Sequence, residues 1–389
     1  MEAGEVVAKL TELPGGQAVL TAFSDDDSVW IVGGAVRDMM LGRTPSEIDL
    51  VVEGPLDPAL EKLAGDAERY ERFGTATVDL NGARIDLASA RTETYPHPGA
   101  LPEVEPSSLD DDLKRRDFTI NAIAVRISDG AVKAHPTAMA DLEAGTIRVL
   151  HDRSFADDPT RLWRCARYSA RLGFVVEEQT ALLAAAAGPG AVSGERLGHE
   201  LRVALSDTDP SAVFAAVEQL NPLALPEGFV ASPTRLADAL QLLGDNGRRD
   251  LLTLAACCEG IELGLLTRWL DHLQFNAADR DLVAVASRWV TGGPLRRAKS
   301  RAEIAAAARS APLEAVALAG GANAALWIDE LRFISLDVSG DDLLAAGASP
   351  GPAIGEGLQY ALNLTLNGEI VGRNQQLAAA LSRAAEVTE

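Results

Sequence analysis

Residues 33–49 of this chain read GGAVRDMMLGRTPSEID, placing a glycine pair, an arginine and two carboxylates in one short span. The apolar run VWIV precedes Gly33 and Gly34, so the span reads as a strand turning into a helix. Glycines at such a turn let backbone N–H groups approach an anion, and the amino end of the helix adds partial positive charge. Arg37, in the first turn of that helix, is placed to clamp a phosphate. A tight turn with a surface arginine accounts for the same residues, and the spacing matches neither the dinucleotide-binding nor the P-loop fingerprint. Glu47 and Asp49 stand two apart in a run that reads as a strand, which projects both carboxylates from one face. Side by side they repel, and a divalent cation between them removes that cost; hard oxygen donors with a few retained waters suit Mg2+. Two such ions, one at an attacking hydroxyl and one on a triphosphate, make the two-metal pattern of phosphoryl transfer. Acid pairs at strand ends also occur with no metal, and Asp86, in the strand-like ARIDLAS, is the candidate third acid.

Two further clusters concentrate polar groups beside apolar runs. KRRDFTINAIA (114–124) gathers Arg115, Arg116, Asp117, Thr119 and Asn121. The preceding SSLDDDL has the pattern of a helix start, Ser108 being followed three residues later by Asp111. A surface helix explains the basic pair equally well, though not the Asp, Thr and Asn. In DDPTRLWRCARYSARLGF (157–174), helical spacing puts Asp158, Arg161, Arg164 or Cys165, and Tyr168 on one face, with Arg167 and Arg171 nearby. An exposed Asp–Arg pair at i,i+3 is a weak surface salt bridge. Held rigidly, the same two groups offer an acceptor and several donors, which match the Watson–Crick edge of a base.

The elements that must position these groups change in texture along the chain. Up to about residue 150, strand-like runs alternate with turns, among them LNGARID, whose Asn-Gly between alternating segments signals a hairpin. From about 155 onward, Ala- and Leu-rich helical segments punctuated by Gly and Pro continue to the end. The expected class is α+β, a mixed α/β head followed by an all-helical remainder.

Composition bounds the possibilities. The 389 residues are 47% hydrophobic and 24% charged, ordinary globular material. No run of ~18 apolar residues exists to span a membrane, and the acidic, helix-like start does not read as a signal peptide. Cys165, Cys257 and Cys258 offer no metal-ligand spacing, and adjacent cysteines pair poorly, so all three read as buried side chains in a reducing cytoplasm. The net charge of −22 argues against promiscuous nucleic-acid binding. A local basic stripe on an acidic body can still hold RNA.

Taken in order, GGAVRD…LGR…EIDLVVEG, FGTATVDLNGARIDLASARTETY, RRDFTINAIA, DDPTRLWRCARYSARLGF and GERLGHEL resemble the class II tRNA nucleotidyltransferases, the family of CCA-adding enzymes and bacterial poly(A) polymerases. The resemblance covers residues 28–205 with specific motifs and sharpens again at 334–359. It implies a nucleotidyltransferase palm, or head, over 1–150, a neck that recognises nucleotide over 151–206, a body over 207–305 and a tRNA-binding tail over 306–389. Glu47 and Asp49 match the paired metal ligands, and Asp86 an acidic position of the catalytic site. Gly33, Gly34 and Arg37 fall in the turn that holds the triphosphate. Arg116, Asp117 and Asn121 match the motif that couples head to neck, and Asp158 and Arg161 the pair that recognises C or A. Arg164 and Arg167 match further nucleotide-binding arginines; Arg196 and Glu200 match a motif that stabilises the neck. The implied substrates are CTP, ATP and a tRNA 3′ end, with Mg2+ as cofactor. The family's usual aspartate at the first metal position is Glu47 here, and its usual glutamate ahead of the recognition pair is Asp157. The loop after Arg91 is Pro-Gly-rich, like that of some single-nucleotide-adding relatives.

Arg296, Arg297, Lys299 and Arg301 form the best local basic stretch and are expected to grip the tRNA's acceptor and T arms through phosphates and shape. A solvated helix start accounts for them equally well. Three readings follow: addition of the whole CCA end; addition of CC or A alone alongside a second nucleotidyltransferase; or a catalytically impaired, tRNA-binding homologue.

Overall fold

The computed structural model describes residues 3–63, 65–80, 82–188 and 192–388. The chain divides into two compact units, Met1–Leu225 and Pro226–Glu389.

The first unit is built on a seven-stranded sheet. Its strands are β1 (Val29–Val32), β2 (Ile48–Val52), β3 (Asp66–Tyr70), β4 (Thr75–Leu80), β5 (Ala83–Ser89), β8 (Ile123–Arg126) and β9 (Val132–Ala134), while β6 (Arg91–Thr94) and β7 (Glu103–Pro106) pair apart as a hairpin. The sheet order is β3-β4-β5-β2-β1-β8-β9. All four residues of β1 are buried because strands flank it on both sides and helices cover its faces. Trp30 and Val32 join Val51, Ala122 and Ala124 in a core closed by Leu109 and Leu113 of the helix Leu109–Lys114. That helix starts as its sequence suggests, with the Ser108 hydroxyl accepting from the Asp111 amide at 3.3 Å. The helix Gly33–Met40 packs on β1, β2 and β8. The β4–β5 hairpin closes Leu80 against Ala83 with Gly82 at φ +86°, while Asn81 of the Asn-Gly pair lies outside the described residues.

The β2–β5 pairing is parallel, and in register it sets Asp49 opposite Asp86. Residues facing each other across two parallel strands share a face, so the sheet itself brings these two acids together.

The helical part of this unit runs further than the expected neck. The helix Pro210–Leu220 packs on Arg161–Leu172, with Trp163 and Phe214 edge to face at 6.4 Å. Asn221 then donates to the carbonyls of Ala184 and Ala187 at 3.0 and 2.8 Å. These ties join residues 207–225 to the first compact unit, which ends at Leu225.

The second unit is helical among its described residues. The expected border at 305/306 falls inside the helix Arg301–Ala308. Its longest helices, Pro352–Asn367 and Arg373–Thr388, meet around Leu343, Ala361 and Ala380. A side chain at Gly357 would put Cβ 2.4 Å from the Ala380 carbonyl oxygen, so glycine is what permits this approach. All three cysteines are free and buried, and no described helix is long and apolar enough to cross a membrane.

Candidate active site

Three carboxylates lie where β2 meets β5. Glu47 is exposed just ahead of β2, and Asp49 is half-buried on it. Burial and the adjacent Glu47 charge push the Asp49 carboxyl up to about 7, with Asp86 adding to the rise and Arg116 opposing it. Asp86 is engaged on its own account: Thr77 Oγ1 donates to its Oδ1 at 2.5 Å, and Arg84 Nε reaches it at 3.2 Å. Among the described residues no group of three or more His, Cys, Asp or Glu is arranged to hold a metal ion. Glu47 and Asp49 remain a two-carboxylate donor set, which suits Mg2+, an ion that keeps waters and takes one or two carboxylates beside substrate phosphates.

The glycine turn borders these acids. Val32 is extended and Gly33 takes φ +66°, the left-handed region that disfavours a side chain. A Cβ there would lie 2.8 Å from Arg116 Nη1 and 3.8 Å from Asp49 Oδ2. Gly33 is thus where backbone, arginine and carboxylate converge.

The Arg37 side chain is 2% exposed. Its Nε donates to Asp38 Oδ1 at 2.8 Å and its Nη1 to Asn121 Oδ1 at 2.7 Å, while the Tyr168 ring centre stands 4.9 Å from Cζ. Turned back along its own helix beside a neighbouring acid, it finds partners within the fold.

Asp117 and Asn121 are buried together. Asp117 Oδ1 accepts from the Phe118 amide at 2.8 Å and from Asn121 Nδ2 at 2.9 Å, and Oδ2 faces Arg164 Nη2 at 2.8 Å. Burial alone would raise this carboxyl, but the Arg164 charge and the Asn121 bond outweigh it and hold the acid below its usual range. Asp117 in turn raises Arg164. Asp112, fully buried, orients the arginine pair: Arg115 Nη2 lies 2.6 Å from Oδ1 and Arg116 Nη2 2.9 Å from Oδ2.

The expected Asp158–Arg161 pair is not formed. Asp158 lies outside the helix Arg161–Leu172, at φ −135° and ψ 94°, because the following Pro159 disfavours helical backbone at the residue before it. Its Oδ1 accepts from Thr160 Oγ1 and from Arg196 Nη2, each at 2.7 Å. Arg161 instead donates to Ser154 Oγ at 2.7 Å and to the Arg115 carbonyl at 2.9 Å. Both residues still line the same cavity. Arg196 also donates to the Gly99 carbonyl at 3.1 Å, tying the Pro-Gly loop to Asp158.

That cavity, about 960 Å³, gathers every head and neck site residue expected from the sequence: Gly33, Gly34, Arg37, Glu47, Asp49, Asp86, Arg116, Asp117, Asn121, Asp158, Arg161, Arg164 and Arg167. Among the described residues, ten arginines line it against eight carboxylates, a local surplus of two positive charges in a chain of net charge −22. Arg167 keeps a buried Nε with no hydrogen-bond partner. The sequence reading missed Asp112, Glu93 and Tyr95. Asp112 stands at i−3 and i−4 from Arg115 and Arg116, the spacing of helical ion pairs, and that signal was legible. Glu93 binds Arg115 at 2.6 Å and accepts from the Tyr95 hydroxyl at 3.0 Å, and no local spacing reveals it.

In the second unit the basic stretch splits. Arg296 donates to the Ala319 carbonyl at 3.0 Å, and Arg301 to the Leu366 carbonyl at 2.6 Å and to Glu330. Arg296, Arg297 and Lys299 are all exposed.

Comparison with known proteins follows the same division. Residues 29–148 match the family model of the poly A polymerase head domain. A CC-adding tRNA nucleotidyltransferase of Deinococcus radiodurans is 31% identical over 365 residues, covering 91% of this chain and 89% of that one. An A-adding tRNA nucleotidyltransferase of Halalkalibacterium halodurans is 40% identical over 208 residues, 50% of this chain, which spans about half the length (49%) of that relative. A CCA-adding enzyme in an apo form superposes with a TM-score of 0.80 over 97% of this chain and 98% of its own, at 27% identity.

Proposed function

This chain belongs to the tRNA nucleotidyltransferases, a family of transferases, and from that premise we propose that the cavity of its first unit extends the 3′ end of tRNA with nucleotides from CTP and ATP. The observation that carries the reading is convergence: residues from four separate stretches, 33–49, 86, 116–121 and 158–167, line one arginine-rich cavity.

In this reading the 3′ hydroxyl oxygen of tRNA bonds to the α-phosphorus of the incoming nucleotide, the bond to pyrophosphate breaks, and the hydroxyl proton passes to solvent water. Mg2+ held by Glu47 and Asp49 would supply charge neutralisation and an acidified hydroxyl. Arg116 is aimed by Asp112 and stands beside the glycine turn, where it meets the triphosphate. Arg164 and Arg167 face the nucleotide from the helix Arg161–Leu172. Fixed arginines and dipoles stabilise developing charge without reorganising, and positioning alone supplies up to ~7–11 kcal/mol in well-oriented reactions. Asp158 and Arg161 read the base edge from two separately anchored positions. A base that leaves such groups unpaired costs about 1–3 kcal/mol per group, which disfavours GTP and UTP. Arg297 and Lys299 supply phosphate contacts to the tRNA.

The full CCA end is the broadest form of this proposal. A narrower form, in which this chain adds CC or A alone and a second enzyme the rest, is the alternative, since relatives of every kind are similar to this chain. Purified protein with Mg2+ is incubated with tRNA ending before CCA, after one C and after CC, with CTP, ATP or both. Extension of all three defines the full enzyme; extension of the last alone, with ATP, defines an A-adder; extension that stops after two C residues defines a CC-adder. Binding of tRNA with no extension would contradict the catalytic reading.

A further inference from the structure

We propose that the outer part of the cavity floor, on β5, β4 and β3, is the subsite for the 3′-terminal nucleotide of the acceptor RNA, with the Tyr70 ring as the platform on which its base stacks. The inference rests on the nucleotidyl-transfer reading and adds to it the place where the reacting end of the second substrate lies.

Strand register lays out the floor. Asp49 pairs with Asp86, Asp86 with Thr77 and Thr77 with Glu68, so one row crosses β2, β5, β4 and β3. Two residues along, the next row is Val51, Ala88, Thr75 and Tyr70. Residues two apart on a strand share a face, and Asp49, Asp86, Thr77, Thr75 and Tyr70 all line the cavity. The carboxylates stand at the inner end of this floor, and Tyr70, the last residue of the edge strand β3, stands at the outer end.

The chemistry assigns the two ends. The glycine turn follows β1, which flanks β2 on the side away from β5, and Arg116 stands at that turn. In such a transfer the attacking and leaving oxygens are roughly in line through the phosphorus. With the leaving pyrophosphate at the turn and Arg116, the attacking hydroxyl arrives from the β5 side, over Asp86. The nucleotide that carries it then lies on β4 and β3. Arg84, two residues before Asp86 and 65% exposed, adds positive charge on this side.

Of the described aromatic side chains that line the cavity, three are engaged within the fold. Tyr168 packs on the Arg37 guanidinium, Tyr95 is half-buried with its hydroxyl on Glu93, and Phe73 is half-buried beside Arg72. Tyr70 is 46% exposed, on a strand whose five residues are all exposed, and its hydroxyl donates to Glu68. An exposed ring anchored at its hydroxyl accepts a base of any identity by stacking. A growing 3′ end, whose last base changes with each addition, requires that tolerance.

The test uses the full-length protein carrying Tyr70→Ala, Tyr70→Leu or Tyr70→Phe, each shown to fold by circular dichroism. Binding is measured by fluorescence anisotropy, with Mg2+ and no nucleotide, for tRNA ending before CCA or after CC, its last nucleotide intact or abasic. Removing the base should weaken binding about tenfold for wild type and Y70F, and by no more than about twofold for Y70A and Y70L, the coupling that direct stacking requires. Calorimetry should find MgCTP and MgATP affinities of Y70A and Y70L within about twofold of wild type, and extension assays a KM for tRNA raised about tenfold with the KM for CTP or ATP held. Equal losses on base removal in wild type and Y70A, or intact and abasic tRNA bound alike by wild type, would overturn the proposal. A loss of MgCTP or MgATP affinity of about tenfold in Y70A would also overturn it, because the ring would then hold the incoming nucleotide. Failure of the wild-type protein to extend any tRNA would instead refute the nucleotidyl-transfer reading, and the binding cycle would still decide the role of Tyr70.

Discussion

Arginine does different work around the cavity of the first unit and in the acid-free stretch 282–302 of the second. Around the cavity of the first, guanidinium groups meet carboxylates: Arg115 and Arg116 on Asp112, Arg164 on Asp117, Arg37 and Arg171 on Asp38, Arg196 on Asp158. In the second, residues 282–302 contain no acid, and the arginines there are mostly held by backbone oxygens. Arg288 donates to the Cys258 and Ile261 carbonyls, Arg296 to Ala319 and Arg301 to Leu366. A carboxylate fixes a guanidinium in direction, which serves a ligand of fixed shape. A carbonyl-held arginine such as Arg296 is fixed in direction by the local fold even where it is exposed, whereas exposed Arg297 and Lys299 offer charge to an outside partner. A net charge of −22 conceals both arrangements.

Four tests by substitution sharpen or break that contrast. The largest effect is expected at Asp49: D49N should lower nucleotide incorporation about a thousandfold, ~4 kcal/mol of transition-state stabilisation, with the melting temperature held. A rate within about threefold of wild type would remove Asp49 from the chemistry. Next is Asp112, whose loss strands two arginines; D112A should cost about 3–5 kcal/mol in urea unfolding. Burial would raise the Asp112 carboxyl, but Arg116 and Arg115 hold it below its ordinary value. Its stabilisation is therefore complete above about pH 5 and is lost as pH falls through the folded pKa, so D112A should flatten the acid limb of the stability curve. Third, neutralising Arg297 and Lys299 together should weaken tRNA binding several-fold and reduce its salt slope by about two, whereas R296A should leave the slope alone. Equal slopes in all three proteins would return the stretch to a solvated helix start. The smallest change is E47D, which should keep turnover within about threefold or raise it, since the shorter acid preserves the charge beside Asp49; complete loss would mean that Glu47 is set for this site by its length.

Local features of the fold were legible where one segment contains its own cause. The buried run of β1 ends in glycines, the β4–β5 hairpin turns at Gly82, and Ser108 caps the helix carrying Asp112. The site was legible as residue types, since carboxylates near glycines and arginines near an Asn have few structural uses together. What the chain does not display locally is pairing at a distance. Asp49 meets Asp86 through a parallel register between strands separated by other elements, and Glu93 meets Arg115 across 22 residues. One misreading has a local cause: Pro159 removes Asp158 from the helix that spacing assigned it to.

The most direct test of the central claim places label on the α-phosphate. Wild type and D49N are incubated with Mg2+, tRNA ending before CCA or after CC, and α-labelled CTP or ATP. The account predicts label at the 3′ end of at least one tRNA for wild type, pyrophosphate released in equal amount, and almost none for D49N. Equal labelling by both proteins, or tRNA binding with no labelling by wild type, would contradict it.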